Sequence, residues 1–240
     1  TYFGETENAE KGNVKERSGY CASQAMFPAI WKVRDIALSM SLAFDKFSKD
    51  RFYSLLGELG VTDDKNSKKP LSRMSDGMKM RVFLASAFAR DTDLLVLDEP
   101  GSSLDPLMRD RLCDRFRDYI DSGNGERSII FSTHNIADME NAADYVIFMD
   151  NGKVVEQGFT EDLKDKYIAL SAEPESLDKI SPLLLCSSHS SSTATGLALA
   201  ENKVKVEALG AGTERPTLSQ LSIDLMKIAE EKRLALKKEA

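Results

Sequence analysis

The chain has 240 residues, 42% hydrophobic and 30% charged, a composition typical of a soluble globular protein with one large domain or a domain and an appendage. Its net charge of −7 and pI near 5.1 argue against a general nucleic-acid-binding surface. No stretch approaches the roughly 20 apolar residues that span a bilayer, so a role at a membrane would have to come through a partner chain.

The three cysteines and the N terminus bear on the cellular compartment. Cys21, Cys113 and Cys186 are odd in number, far apart and without metal-ligand spacing, as expected of reduced thiols in a cytosolic protein. The first residues contain no signal-peptide apolar core. The chain opens with Thr1 rather than Met, which leads us to expect a processed or incomplete N terminus.

The first half of the chain is predicted to be mainly helical. Apolar residues recur at helical spacing from residue 33, and Asp50–Leu59 predicts a second helix ended by Gly60. The polar residues 62–69 predict a loop. Ser75 is a candidate N-cap for a further helix that runs to about Arg90.

Leu94–Leu97 is a run of four large aliphatic residues, which predicts a strand buried on both faces, as in a parallel sheet. The run ends in Asp98, Glu99 and a proline. Ligands of open α/β sheets bind at the carboxyl ends of the strands, so these two carboxylates are expected at a functional edge.

Alternating elements continue after this strand. Asp105 followed by Pro106 predicts a helix start, and Arg127–Thr133 predicts another buried strand that leads into His134. Residues 135–143 predict a short helix. Asn151-Gly152 predicts a hairpin between strands at 145–149 and 153–156.

The last 80 residues are less informative. Strands are expected at 167–171, 196–200 and 203–209, with a polar loop at 187–192 around His189. Apolar residues from Leu218 to Ile228 follow a 3-4-3 spacing, which predicts an amphipathic terminal helix.

Four motifs occur in an order that resembles an ABC-type ATPase. Met74-Ser75-Asp76-Gly77-Met78 is similar to the signature motif, and Leu94–Pro100 to the Walker B strand. Ser102–Asp105 is similar to the D-loop, and Ser132-Thr133-His134 to the switch histidine. Ser75 precedes Asp98 by 23 residues, which looks like the family's interval. The resemblance covers roughly residues 1–160.

The resemblance implies roles for individual residues. Asp98 would serve Mg²⁺, Glu99 would orient or deprotonate the attacking water, and His134 would contact the γ-phosphate of ATP. Ser75 and Gly77 would complete the site on a partner subunit's nucleotide, and Asp105 would tie the two subunits together. Gln24 would touch nucleotide-bound Mg²⁺ and water from the Q-loop, although Ser23 occupies the usual glutamine position.

The implied fold is α/β: a P-loop NTPase-like, mainly parallel sheet with a helical subdomain at about 25–75. Residues 161–240 would form a small α+β extension that ends in the amphipathic helix. The implied function is the ATP-hydrolysing subunit of an ABC transporter, which would work as a dimer on a transmembrane permease, cytoplasmic and peripheral at the inner face of the cell membrane.

One motif of the family is missing, since no Gly-x-x-x-x-Gly-Lys-Ser/Thr occurs in the sequence. Truncation is one explanation, favoured by the Thr1 start and the intact Asp98-Glu99 pair, and such a chain alone is expected to be inactive. The other is a diverged, non-catalytic or regulatory subunit that contributes only its signature motif. A soluble, non-transport ABC protein is a third alternative.

Overall fold

The computed structural model describes residues 12–61, 68–189 and 193–238. The stretch before residue 12, most of the expected loop at 62–69 and residues 190–192 of the expected polar loop lie outside the described residues. Contacts divide the chain into two compact units, residues 1–142 and 143–240. The hairpin therefore groups with the C-terminal residues, and the family-based boundary at 160 stays a prediction.

The first unit contains a parallel three-stranded sheet. Its strands are β1 (Ser18–Cys21), β2 (Leu94–Asp98) and β3 (Ser128–Ser132), in the order β1-β2-β3. The register pairs Cys21 with Leu97 and Asp98 with Ser132. Because the strands are parallel, their carboxyl ends meet at one edge of the sheet, as the sequence predicts.

The prediction that β2 and β3 are buried on both faces was wrong. Leu95 and Leu97 are buried, but the other face carries the aligned row Tyr20, Val96 and Ile130, and two of these three side chains are exposed. Tyr20 is 55% exposed and Ile130 60%. Successive side chains of a strand point to opposite faces, so in the described residues one face of the sheet meets the core and the other is more open to water.

Helices supply the remainder of the core in this unit. The most buried of them is α4, in which seven consecutive residues, 82–88, are buried. The described helices are α1 (Gly12–Arg17), α2 (Val33–Ala43), α3 (Lys49–Glu58), α4 (Asp76–Phe88), α5 (Pro106–Asp121) and α6 (Ile136–Met139). Short 3₁₀ helices occur at Leu71–Arg73 and Glu140–Ala142.

The second unit begins with the predicted hairpin, β4 (Tyr145–Asp150) and β5 (Lys153–Phe159). Asn151 has φ +47° and Gly152 φ +74°, the left-handed conformation that a tight two-residue turn demands of both positions. Strand β5 runs three residues beyond the predicted end at Glu156.

The residues after the hairpin form a βαββαβ arrangement of the ferredoxin-like type, preceded by α7 (Thr160–Lys166). The antiparallel sheet has the order β7-β8-β6-β9. Its elements are β6 (Tyr167–Ala172), α8 (Leu177–Ile180), β7 (Leu184–His189), β8 (Ala194–Leu199), α9 (Lys203–Ala208) and β9 (Gly212–Glu214), with 3₁₀ turns at Pro174–Ser176, Ser181–Leu183 and Ala200–Asn202.

Two predictions in this region were wrong. The expected strand at 203–209 is helix α9, in which Val206 is buried while Val204 is 77% exposed. These two side chains would share a face in a strand, so the alternating sequence was misleading. Residues 187–189, expected in a loop, belong to β7, because its pairing with β8 outweighs the low strand propensity of serine.

The predicted terminal helix is present as α10 (Leu218–Lys238). Its residues Leu218, Leu221 and Leu225 are buried, as the 3-4-3 spacing predicts. The helices of the described ranges include none that is both long and apolar enough to cross a membrane.

One charged side chain joins three elements in the core of the first unit. Arg90, directly after α4, is only 4% exposed and donates to the carbonyls of Lys15, Glu16 and Ser18. Its guanidinium lies 3.5 Å from the ring centroid of Phe44. Burial lowers the pKa of Arg90, so the cation depends on these carbonyls and this ring.

We expect Arg90→Met to destabilise the first unit by roughly 2–4 kcal/mol, because it leaves buried carbonyls without donors. Arg90→Lys should recover little, since an ammonium cannot reproduce the forked contacts. Urea unfolding followed by the fluorescence of Trp31, the single tryptophan of the sequence, measures the change.

Arg117→Met is the matched control, because Arg117 makes an exposed i,i+3 ion pair with Asp114. That pair should contribute less than about 0.5 kcal/mol. Equal losses for Arg90→Met and Arg117→Met would contradict the role given to Arg90.

Candidate functional site

Asp98, the last residue of β2, is held by two serine hydroxyls. Ser23, two residues after β1, donates to one carboxylate oxygen at 2.5 Å, and Ser132 at the end of β3 donates to the other at 2.7 Å. These bonds stabilise the charged form and lower the pKa of Asp98, with the Ser23 bond as the largest cause and the Ser132 bond next. The three strand ends thus present an ionised carboxylate.

Glu99 follows in a strained backbone conformation, with φ +48°. Its N–H donates to both the carbonyl and the hydroxyl of Ser132, each at 3.1 Å. One carboxylate oxygen, Oε1, lies 2.7 Å from Nδ1 of His134. The other, Oε2, is buried and accepts no hydrogen bond from the described residues.

Asp105 uses its two carboxylate oxygens separately. Oδ1 accepts the backbone N–H of Met108 at 3.0 Å, which is the N-cap of α5 that the sequence predicts. Oδ2 accepts Nη2 of Arg81 from α4 at 2.9 Å. The side chain is 53% exposed, so the residue remains accessible from solvent.

Ser75 is the N-cap of α4, where its hydroxyl accepts the N–H of Met78 at 3.3 Å. The residue is exposed, and the positive end of the helix dipole lies behind it. Gly77, in the first turn of the same helix, is tightly packed: a Cβ there would lie 2.6 Å from the carbonyl oxygen of Ser103. The first turn of α4 therefore lies directly against the segment that follows Glu99.

Gln24 makes no hydrogen bond to this carboxylate group within the described residues. It lines a cavity of about 440 Å³ together with polar and aromatic side chains, among them Ser23, Phe27, Asp76, Lys79 and Phe83. Ser23, the residue in the usual glutamine position, is the one that bonds Asp98. The structure therefore gives Ser23 a direct contact with the carboxylate edge, whereas Gln24 is its neighbour in sequence.

Sequence reasoning named Ser132 only as part of the Ser132-Thr133-His134 motif, without its contact to Asp98, and did not single out Arg81. The signal for Ser132 was its place at the end of the second apolar strand, because parallel strand ends align in the sheet. Nothing in the sequence indicates that Arg81, one turn after Gly77, reaches Asp105, since that contact depends on how α4 and α5 pack.

The side chains that could bind a metal ion determine which kind of metal site is possible here. No group of three or more metal-ligating side chains occurs in the ranges the structure describes. Mg²⁺ bound by one or two carboxylates and by substrate phosphates requires no such group. Asp98 is ionised and accepts hydrogen bonds from two hydroxyls. It could therefore serve as the single carboxylate ligand of a Mg²⁺ ion that is also bound by the phosphates of a substrate.

The chain is similar to known ATP-binding proteins. A family model described as AAA domain, putative AbiEii toxin, Type IV TA system matches residues 31–138. The oligopeptide transport ATP-binding protein OppD of Mycoplasma genitalium is 34% identical over 136 residues, which is 54% of this chain and 33% of the relative. An uncharacterized ABC transporter ATP-binding protein, YxlF of Bacillus subtilis, is 31% identical over 159 residues, 65% of this chain and 52% of the relative.

A solved structure described as the ATP binding subunit of an ABC transporter superposes with a TM-score of 0.52. It is 22% identical and covers 63% of this chain and 62% of that one, so it supports the fold alone. The chain spans between a third and about half of the length of the two curated relatives.

We expect Ser23→Ala and Ser132→Ala each to raise the pKa of Asp98 towards its ordinary value, and the double variant to raise it further. In the native chain the folded-state pKa lies below the unfolded one, so these bonds stabilise the fold at neutral pH and lose that effect as pH falls through the folded pKa. Carboxyl ¹³C chemical shifts of Asp98 followed against pH measure the change. Ser122→Ala, remote from the strand ends, is the control, and an unmoved Asp98 titration in both site variants would exclude the hydroxyls as its cause.

Proposed function

We propose that this chain, a member of the ABC-type ATP-binding proteins, is the ATP-hydrolysing subunit of an ABC transporter that powers a separate membrane permease. The observation that carries the proposal is the group formed by Asp98, Glu99 and His134 at the carboxyl edge of the parallel sheet. The curated relatives are described as transport ATP-binding proteins, and that role supports the same assignment here.

Each residue of the group has a defined part in phosphoryl transfer, which requires positioning and charge neutralisation more than covalent chemistry. Asp98 holds Mg²⁺, directly or through water, and Mg²⁺ when bound neutralises charge on the phosphates. Glu99 is proposed to orient the attacking water by accepting a hydrogen bond from it. Gln24 follows Ser23 in the segment after β1. We propose that it contacts Mg²⁺ and the attacking water.

His134 contacts the γ-phosphate in this proposal. Its Nδ1 faces Glu99, and the side chain is 78% exposed, which leaves the other ring nitrogen accessible. The contact of Nδ1 with Glu99 at 2.7 Å ties the orientation of the ring to the carboxylate that is proposed to orient the water.

The start of α4 serves the nucleotide of a second subunit. Ser75 is exposed, and the N–H groups of the first helical turn favour an anion. Asp105, which is 53% exposed while it bonds Arg81, is proposed to contact the partner subunit. The working unit is therefore a homo- or heterodimer with composite sites.

The helical part of the first unit is the proposed contact with the permease. The described part of residues 25–75 exposes four large apolar side chains, namely Ile30 (80%), Leu38 (53%), Leu42 (79%) and Tyr53 (47%). Single exposed apolar residues are ordinary, but several on one subdomain favour a protein partner. The chain would accordingly be cytoplasmic and peripheral at the inner face of the membrane.

The missing phosphate-binding loop limits what these 240 residues do alone. That loop supplies backbone N–H groups and a lysine for the phosphates, whereas Asp98 and Glu99 repel them. We therefore propose that the chain binds Mg-ATP weakly by itself. A subunit that lends only its signature motif is the alternative, but the intact contacts of Glu99 favour a catalytic role.

The test adds to Thr1 the N-terminal segment of the Bacillus subtilis relative, which we expect to supply the phosphate loop, and measures ATP hydrolysis. The extended chain should turn over ATP, and Glu99→Gln should lower turnover by about 10²- to 10⁴-fold while ATP binding by calorimetry persists. Glu126→Gln, an exposed carboxylate between α5 and β3, is the matched control.

Two results would contradict the proposal. Turnover of Glu99→Gln within a few-fold of the parent would remove Glu99 from its role. Micromolar binding of Mg-ATP by the unextended 240 residues would mean that other residues hold the phosphates.

Two substitutions at position 75 separate phosphate recognition from helix capping. Asn and Asp cap helices about as well as Ser, so Ser75→Asn and Ser75→Asp should both keep the melting temperature of the chain nearly unchanged. In the extended chain, Ser75→Asp places a negative charge against the partner's triphosphate and should abolish ATP-driven dimerisation, measured by light scattering. Ser75→Asn should dimerise; equal dimerisation of both variants would assign Ser75 a capping role only.

A further inference from the structure

The segment that joins Glu99 to Asp105 is fixed at both ends and along its length. The N–H and the hydroxyl of Ser102 both donate to the carbonyl of Glu99, at 3.2 and 3.1 Å. The N–H of Leu104 donates to Gly101, and Leu104 is 3% exposed. These bonds limit how far Asp105 can move independently of Glu99.

Two independent contacts hold this segment against the first turns of α4. Gly77 lies so near the carbonyl of Ser103 that a Cβ would be 2.6 Å from it. One turn later, Nη2 of Arg81 bonds Asp105 at 2.9 Å, while Nη1 reaches the carbonyl of Leu59 after α3 at 3.4 Å.

Arg81 is the residue that restricts segment 99–105 to one position against α4. Its side chain is 19% exposed, and its Nε is buried without a hydrogen-bond partner in the described residues. A buried unpaired donor is unfavourable, and the contacts of the two terminal nitrogens offset part of that cost. Moving Asp105 away from α4 would leave the guanidinium still less satisfied.

We propose that Arg81 is a positioning residue that makes the start of α4 and segment 99–105 one rigid body. With the proposed function as its premise, contact between Ser75 and a partner's nucleotide then fixes the position of Glu99 in the chain's own site. Arg81 touches no reacting atom. It acts through Asp105.

The test uses the complete 240-residue chain without nucleotide and reads the ring protons of His134 by NMR. The sequence has two histidines, so the signals are assigned with one variant, His189→Gln. Because His134 lies 2.7 Å from Glu99, its ring shifts at fixed pH report displacement of that carboxylate. Arg81→Met should shift the His134 signals although the chain stays folded by circular dichroism.

Two further variants separate positioning from general loss of packing. Asp105→Asn keeps the helix cap, weakens the ion pair and should shift His134 in the same direction, with little added effect in the double variant. Arg115→Met removes a different ion pair, at 2.8 Å between α5 and Glu58 of α3, and should leave His134 unmoved.

The proposal is overturned if His134 is unmoved in both Arg81→Met and Asp105→Asn, or if Arg115→Met shifts it equally. Should Arg81→Met fail to fold, Asp105→Asn and its control decide alone. Because no nucleotide is present, this outcome is independent of ATP hydrolysis. If the extended chain fails to hydrolyse ATP, the His134 result still tests the role of Arg81. If His134 is unmoved, the test of ATP hydrolysis is equally unaffected.

Discussion

The parallel pairing of β2 with β1 and β3 is the constraint on which the site depends. It brings Ser23, Asp98 and Ser132, which are up to 109 positions apart in sequence, to one edge of a sheet and within hydrogen-bond distance. The backbone of Ser132 then also receives the N–H of Glu99, so the turn out of β2 is fixed by its neighbour strand. Remove that pairing and the two carboxylates become ordinary solvated side chains with no common geometry.

Several single polar side chains stabilise the fold and also belong to the candidate site. Asp105 caps α5 with one oxygen and holds Arg81 with the other, and Ser75 caps α4 while it faces outward. For such residues a loss of activity on substitution does not by itself identify a chemical role. Substitutions that keep the cap and change only the charge are needed to separate the two contributions.

The sequence was most informative where local chemistry determines structure. The Asp105-Pro106 helix start, the Asn151-Gly152 turn and the buried stripe from Leu218 each follow from properties of a few neighbouring residues, and each is present. Burial of β2 was misjudged because it depends on what covers a sheet face. Residues 203–209 were misjudged because tertiary context outweighed an alternating pattern. The Arg81–Asp105 contact could not be predicted, since it requires the packing of two helices.

The row Tyr20, Val96 and Ile130, of which Tyr20 and Ile130 are exposed, affects how the isolated chain behaves in solution. Exposed apolar side chains aligned across neighbouring strands favour self-association. Sulfate and phosphate ions favour self-association through such surfaces, whereas dilution of the protein opposes it. Crystallisation from concentrated kosmotropic salts would therefore favour lattices in which this face is covered by another molecule, and measurements intended to report on single molecules are best made dilute and at low salt.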